Sequence, residues 1–91
     1  MTYHVKISSR AKKELKKLDY YTQKIILLWL KNNIDGCENP RILGKPLLGD
    51  KKGRWRYRIG DYRIICEIKD DCLIVLAIAI GHRKEIHKKT T

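Results

Sequence analysis

Gly53-Arg54-Trp55-Arg56-Tyr57-Arg58-Ile59-Gly60-Asp61-Tyr62-Arg63 alternates arginine with aromatic or apolar residues and then reaches a turn signal. A period of two is that of a β-strand with unlike faces. Arg54, Arg56 and Arg58 therefore project from one face, about 7 Å apart. Trp55, Tyr57 and Ile59 point the other way, into a core. Gly60-Asp61 fits a tight hairpin loop into a second strand, residues 62–69. Asp70-Asp71 predicts another turn into residues 72–80. Because that third run is apolar at every position from Leu73 to Ile80, it reads as a central strand covered on both faces and ended by Gly81. Pairing Lys69 with Cys72 across the turn sets Ile68 opposite Leu73 and Cys66 opposite Val75. The two strand cysteines are then out of register and stay free thiols.

Upstream, residues 3–8 alternate Tyr3, Val5 and Ile7 with His4, Lys6 and Ser8, again the strand period. Ser8 or Ser9 can cap a helix whose apolar stripe is Ala11, Leu15 and Leu18. Asp19 is placed to cap a second helix over residues 20–33, with a broad apolar face that includes Ile25, Ile26, Leu28 and Trp29. Asn33 and Gly36 supply its exit. Residues 35–53 form an ordered connection in which Ile42, Leu43, Leu47 and Leu48 can pack. The expected order is β-α-α-β-β-β. That is an α+β domain spanning residues 1–91, its N-terminal helical hairpin packed on one face of an antiparallel sheet, with the first strand at an edge.

The composition narrows the function. The 91 residues carry 21 Lys and Arg against 10 Asp and Glu, a formal charge of +11, yet 43% are apolar. The apolar share specifies a folded chain, and the surplus charge implies a polyanionic or acidic partner. The longest apolar run falls well short of the roughly 18 residues of a membrane span. The opening Met1-Thr2-Tyr3-His4-Val5-Lys6 has no signal-peptide core, which predicts a cytoplasmic protein. Cys37, Cys66 and Cys72 form no CxxC pair, and no cofactor or metal motif is present.

A row of three arginines repels itself unless an anion lies between the guanidinium groups, which suit phosphate oxygens better than ammonium groups do. Arg63 on the paired strand can reach the same face. Lys45, Lys51 and Lys52 approach from the preceding loop, and Arg83 from the end of the third run. His82 and His87 flank this basic ground, and a phosphate partner there would favour their protonated forms near neutral pH. Trp55 and Tyr57, alternating away from the arginines, are assigned to packing, and His4 to the surface.

Three blocks together resemble the RelE/ParE toxin superfamily. The first is Tyr3-His4-Val5 with Ser9-Arg10-Ala11-Lys12-Lys13-Glu14-Leu15-Lys16-Lys17-Leu18. The second is Lys45-Pro46-Leu47 followed by residues 53–63, and the third is Gly81-His82-Arg83-Lys84-Glu85-Ile86-His87. The resemblance implies the β-α-α-β-β-β arrangement and a toxin of a type II toxin–antitoxin module. RelE-like members are metal-independent endoribonucleases that cut messenger RNA in the ribosomal A site, whereas ParE-like members inhibit DNA gyrase. The RelE-like site implies functional residues at positions held here by Arg54, Arg56, Arg63, Arg83 and His87, which favours the ribonuclease branch. It implies Arg56, Arg63, Arg83 and His87 as catalytic residues, and Lys45, Lys51, Lys52, Arg54 and Arg58 as RNA-binding residues. It also implies an acidic, amphipathic RelB-like antitoxin as partner, besides ribosome and mRNA, and operator DNA bound through the antitoxin complex. One departure stands out: the family's better-known members carry lysines where Arg54 and Arg56 stand, and arginine is a poor general base. A gyrase inhibitor, or an inactive module that only seats antitoxin or DNA, are the competing expectations.

Overall fold

Serine and aspartate caps open both helices, as their hydroxyl and carboxylate oxygens satisfy first-turn N–H groups that have no partner within the helix. In the computed structural model, which describes residues 1–49 and 53–82, the Ser8 hydroxyl accepts from the Ala11 N–H at 3.1 Å and starts α1, Ser9–Lys16. Asp19 accepts from the Thr22 N–H at 3.2 Å and starts α2, Tyr20–Asn33. The strands are β1 (His4–Ile7), β2 (Lys45–Pro46), β3 (Trp55–Ile59), β4 (Tyr62–Lys69) and β5 (Ile74–His82).

They form one five-stranded sheet in the order β1-β5-β4-β3-β2. β5, β4, β3 and β2 are successively antiparallel, while β1 lies parallel to β5. The sheet is therefore mixed, where a purely antiparallel one was expected. The chain leaves β1 through both helices and returns to the far edge, so β5 is free to accept β1 alongside it. Short β2 is a further strand, built from the segment read only as a connection.

The core lies between helices and sheet. Ala11 and Leu15 of α1 and Ile26 and Leu30 of α2 pack with Tyr57, Ile59, Ile64, Cys66, Val75, Ala77 and Ile80 from the sheet. β5 is covered on this side alone: Ile74, Leu76 and Ile78 remain half-buried, which corrects the expectation of a strand covered on both faces. β5 also runs through Gly81 to His82 instead of ending at the glycine.

The β4–β5 register differs as well. Lys69 pairs with Ile74, Ile68 with Val75 and Cys66 with Ala77, and a bulge falls at Ile65/Cys66. The turn takes four residues, not two, because Leu73 adopts a left-handed φ of 56°. Cys66 still meets no cysteine, and all three thiols are free. Burial pushes the Cys66 thiol up to about 12. In the β3–β4 loop Gly60 takes φ 57°, the conformation a two-residue hairpin loop asks of its first residue.

Candidate functional site

Strand alternation and sheet order together build the site. Arg56 and Arg58 leave β3 on the face turned away from Tyr57 and Ile59. Arg58 stands directly opposite Arg63 of β4, and Arg56 directly opposite Lys45 of β2. The four cations thus form two facing cross-strand pairs on adjacent strands. Directly opposed residues lie about 4.5–5.5 Å apart at Cβ, where like charges destabilise the sheet. On the other side of Arg63 the β5 neighbour is Gly81, which is itself buried.

Lys45, Arg56, Arg58 and Arg63 line one open cavity of about 300 Å³, together with Trp29, Leu43 and Gly44. No acidic side chain is among these described lining residues. An anion bound there would offset the repulsion among these cations.

Gly44 fixes the mouth of the cavity. It takes φ 77°, and a Cβ at this position would lie 2.4 Å from the Arg56 carbonyl oxygen, 2.7 Å from the Trp55 indole nitrogen and 2.8 Å from the Tyr57 ring. The Trp55 indole N–H donates to the Leu43 carbonyl at 2.7 Å, clasping the same loop to β3. Beneath it Tyr57 is fully buried, donates its hydroxyl to the Pro40 carbonyl at 2.5 Å, and packs against Trp29 with ring centroids 5.5 Å apart. Burial holds the Tyr57 phenol far above its ordinary pKa, so it stays neutral. Trp55 and Tyr57 are thus packing residues, as the alternation implied.

Of the residues singled out in the sequence, Lys45, Arg56, Arg58 and Arg63 converge. Arg54 stands apart from the cavity lining and lies 3.7 Å from Glu67. Lys51, Lys52, Arg83 and His87 lie outside the described residues. His82 sits opposite Tyr62, edge-on to its ring with centroids 5.5 Å apart, and does not line the cavity. His4 is exposed, 3.9 Å from Asp35. Trp29, Leu43 and Gly44 were not foreseen as lining. Trp29 reads as helix core from its spacing, and only its partnership with Tyr57 shows that it also walls the cavity.

The sequence model for the ParE toxin of the type II toxin–antitoxin system parDE matches residues 5–87. Toxin RelE of Mycobacterium tuberculosis is 31% identical over 86 residues, covering 94% of this chain and 87% of that protein. Toxin RelG of the same organism is 26% identical over 89 residues, covering 98% of this chain and all of that protein. Among solved structures, the toxin–antitoxin complex RelBE2 of M. tuberculosis superposes with a TM-score of 0.80 at 25% identity, covering 91% of this chain and 100% of that one.

Proposed function

The chain belongs to the RelE/ParE superfamily of type II toxins, and from that premise we propose that it is a metal-independent endoribonuclease that cuts messenger RNA in the ribosomal A site. The carrying observation is the cavity in which Lys45, Arg56, Arg58 and Arg63 face one another in two cross-strand pairs. Such a site suits a phosphate that gains negative charge as it reacts.

In this reading the RNA's own 2′-OH attacks the adjacent phosphorus. The 2′-O–P bond forms and the P–O5′ bond breaks, leaving a 2′,3′-cyclic phosphate and a 5′-OH. Arg56 and Arg63, with Arg83, stabilise the pentacoordinate transition state. Lys45, Lys51, Lys52, Arg54 and Arg58 hold the backbone. His87 donates the proton to the departing 5′-oxygen. The 2′-OH proton passes to water or to a ribosomal group, because arginine is too weak a base to take it. The protein's own partner is an antitoxin, by analogy with the RelBE2 complex.

Brief expression in bacteria followed by RNA 5′-end mapping on translating ribosomes tests the reading. New ends within the A site, lost with Arg63→Ala, are expected. Removing one charge-stabilising donor from a transition state costs about 10²–10³ in rate. The match to ParE toxins favours a second reading, inhibition of DNA gyrase. Blocked supercoiling with intact RNA would select it.

A further inference from the structure

The arginine cavity offers more than a phosphate uses. Its volume is about 300 Å³, and a phosphate group, with the bulk of a few water molecules at roughly 30 Å³ each, fills only part of it. Its wall is also of two kinds. Lys45, Arg56, Arg58 and Arg63 supply charge, whereas Trp29 and Leu43 supply an indole ring and an isobutyl group. An anion gains nothing from apolar neighbours, which displace the water around it. Both apolar groups are nonetheless held in place. Trp29 is half-buried on α2, and its ring leans on the fully buried Tyr57 with centroids 5.5 Å apart and planes at 52°. Leu43 stays 40% exposed, yet its carbonyl is clasped by the Trp55 indole N–H at 2.7 Å. A ring fixed before its ligand arrives costs no ordering on binding.

We infer that Trp29 and Leu43 seat an unpaired nucleobase of the RNA strand whose phosphate the four cations hold. The inference rests on reading the cavity as an RNA site, and it adds a positioning contact outside the charge chemistry of the reaction. Single-stranded RNA is gripped elsewhere by the same two devices, a flat ring for a base and cations for the adjoining backbone. A nucleotide carries base and phosphate as one covalent unit, and a cavity that joins an indole to four cations matches that unit. Every base has a flat face, so the seat demands a base without selecting which one. Paired bases are stacked inside a duplex and do not reach it. An aliphatic acidic peptide meets the cations but has no flat group for the indole, which makes it the discriminating competitor.

The test uses the full-length protein and a short fluorescein-labelled single-stranded RNA, 2′-O-methylated throughout so that it cannot be cut. Binding is read by anisotropy at 150 mM salt, for the intact strand and for a series in which one nucleotide at a time is abasic. One abasic position should weaken binding at least about fivefold, the scale of a lost base–aromatic stack. In Trp29→Leu the same abasic position should matter less than about twofold, while Trp29→Phe, which keeps a flat ring, retains the dependence. Leu43→Ser, at a partly exposed position, provides a second variant, and far-UV circular dichroism verifies that each protein folds. A merely structural role of Trp29 would weaken intact and abasic strands alike, and that result would overturn the inference. Absence of RNA binding by the wild type, or equal binding of every abasic strand, would overturn it too. So would a Glu/Leu peptide whose binding is lost in Trp29→Leu while RNA binding ignores base removal, since the wall would then belong to a protein partner. Cleavage by the wild-type protein on ribosomes is measured in parallel. Base-dependent binding without cleavage would count against the ribonuclease reading alone, and cleavage without base dependence against the nucleobase seat alone.

Discussion

Arg58 opposite Arg63, and Lys45 opposite Arg56, are pairs that sheet stability alone disfavours, and their position on the cavity wall gives that cost a use. Gly44 holds the arrangement at close quarters. Gly44→Ala must place a methyl group 2.4 Å from the Arg56 carbonyl oxygen, and at a left-handed φ. Loss of about 2–4 kcal/mol is expected from the overlap and the backbone together, measurable as a lowered urea midpoint. The displaced Lys45 should also weaken binding of a short RNA oligonucleotide. A destabilisation below about 1 kcal/mol would show that the loop is not clasped as described. The arginine row was legible because alternation at period two assigns faces without knowledge of the fold. Gly44 was not, since a glycine between Leu43 and Lys45 reads equally well as a loose loop. Only the backbone of β3 shows what crowds it. Arg54 teaches the converse: it shares the face of Arg56 and Arg58 by alternation, yet stands by Glu67, a cross-strand neighbourhood that spacing along one strand cannot reveal.

Among the elements, both helices were legible, α2 over its whole length and the start of α1 to within one residue, because their caps are local chemistry. Ser8 and Asp19 each act three residues away. The β4–β5 register was not. Asp70-Asp71 looks like a two-residue turn, and nothing local announces Leu73 in the left-handed region. The resulting slip is by two residues, from Leu73 to Val75 opposite Ile68. Between Cys66 and Lys69 a slip of two keeps each side chain on its own face, and the bulge at Ile65/Cys66 then adds one residue more. The parallel pairing of β1 with β5 is likewise a long-range choice with no local signature. Glu14 of α1 reaches across to β5, where its carboxylate accepts from the Ile80 N–H at 3.1 Å. Glu14→Ala should leave that backbone donor without this acceptor, costing about 1–3 kcal/mol. Hydrogen exchange at the Ile80 amide should accelerate well beyond that of its β5 neighbours. A uniform acceleration would assign Glu14 only a global role.

At the scale of the whole molecule, one polar cluster ties distant parts of the chain. Arg41 grips Asp70 with two bonds of 2.9 Å, and the Tyr3 hydroxyl donates to the same carboxylate at 2.5 Å. The N-terminal segment, the long connection and the β4–β5 turn meet there. The Arg41 guanidinium first, then the Tyr3 hydroxyl, hold the Asp70 carboxyl down to about 2. A depressed carboxyl stabilises the fold above its unfolded pKa of about 3.9, and that contribution fades as pH falls toward 2. Because Asp70 is largely solvent-exposed, the contribution should stay near 1 kcal/mol or less. Asp70→Asn should therefore melt lower than the wild type at pH 6, and the two curves should converge near pH 2. A gap that is constant with pH would remove the linkage.

The surplus of +11 is shared between the helix lysines and a cavity with four cations and no described acidic wall. The reaction proposed for this cavity is attack by the RNA's own 2′-OH. The direct measurement is single-turnover cleavage of an A-site messenger on programmed ribosomes, with and without a single 2′-deoxy nucleotide on the 5′ side of the scissile phosphate. Cleavage to a 2′,3′-cyclic phosphate and a 5′-OH, abolished by the deoxy substitution, is the expected result. Uncut messenger, or a 5′-phosphate produced equally well from the deoxy substrate, would contradict it.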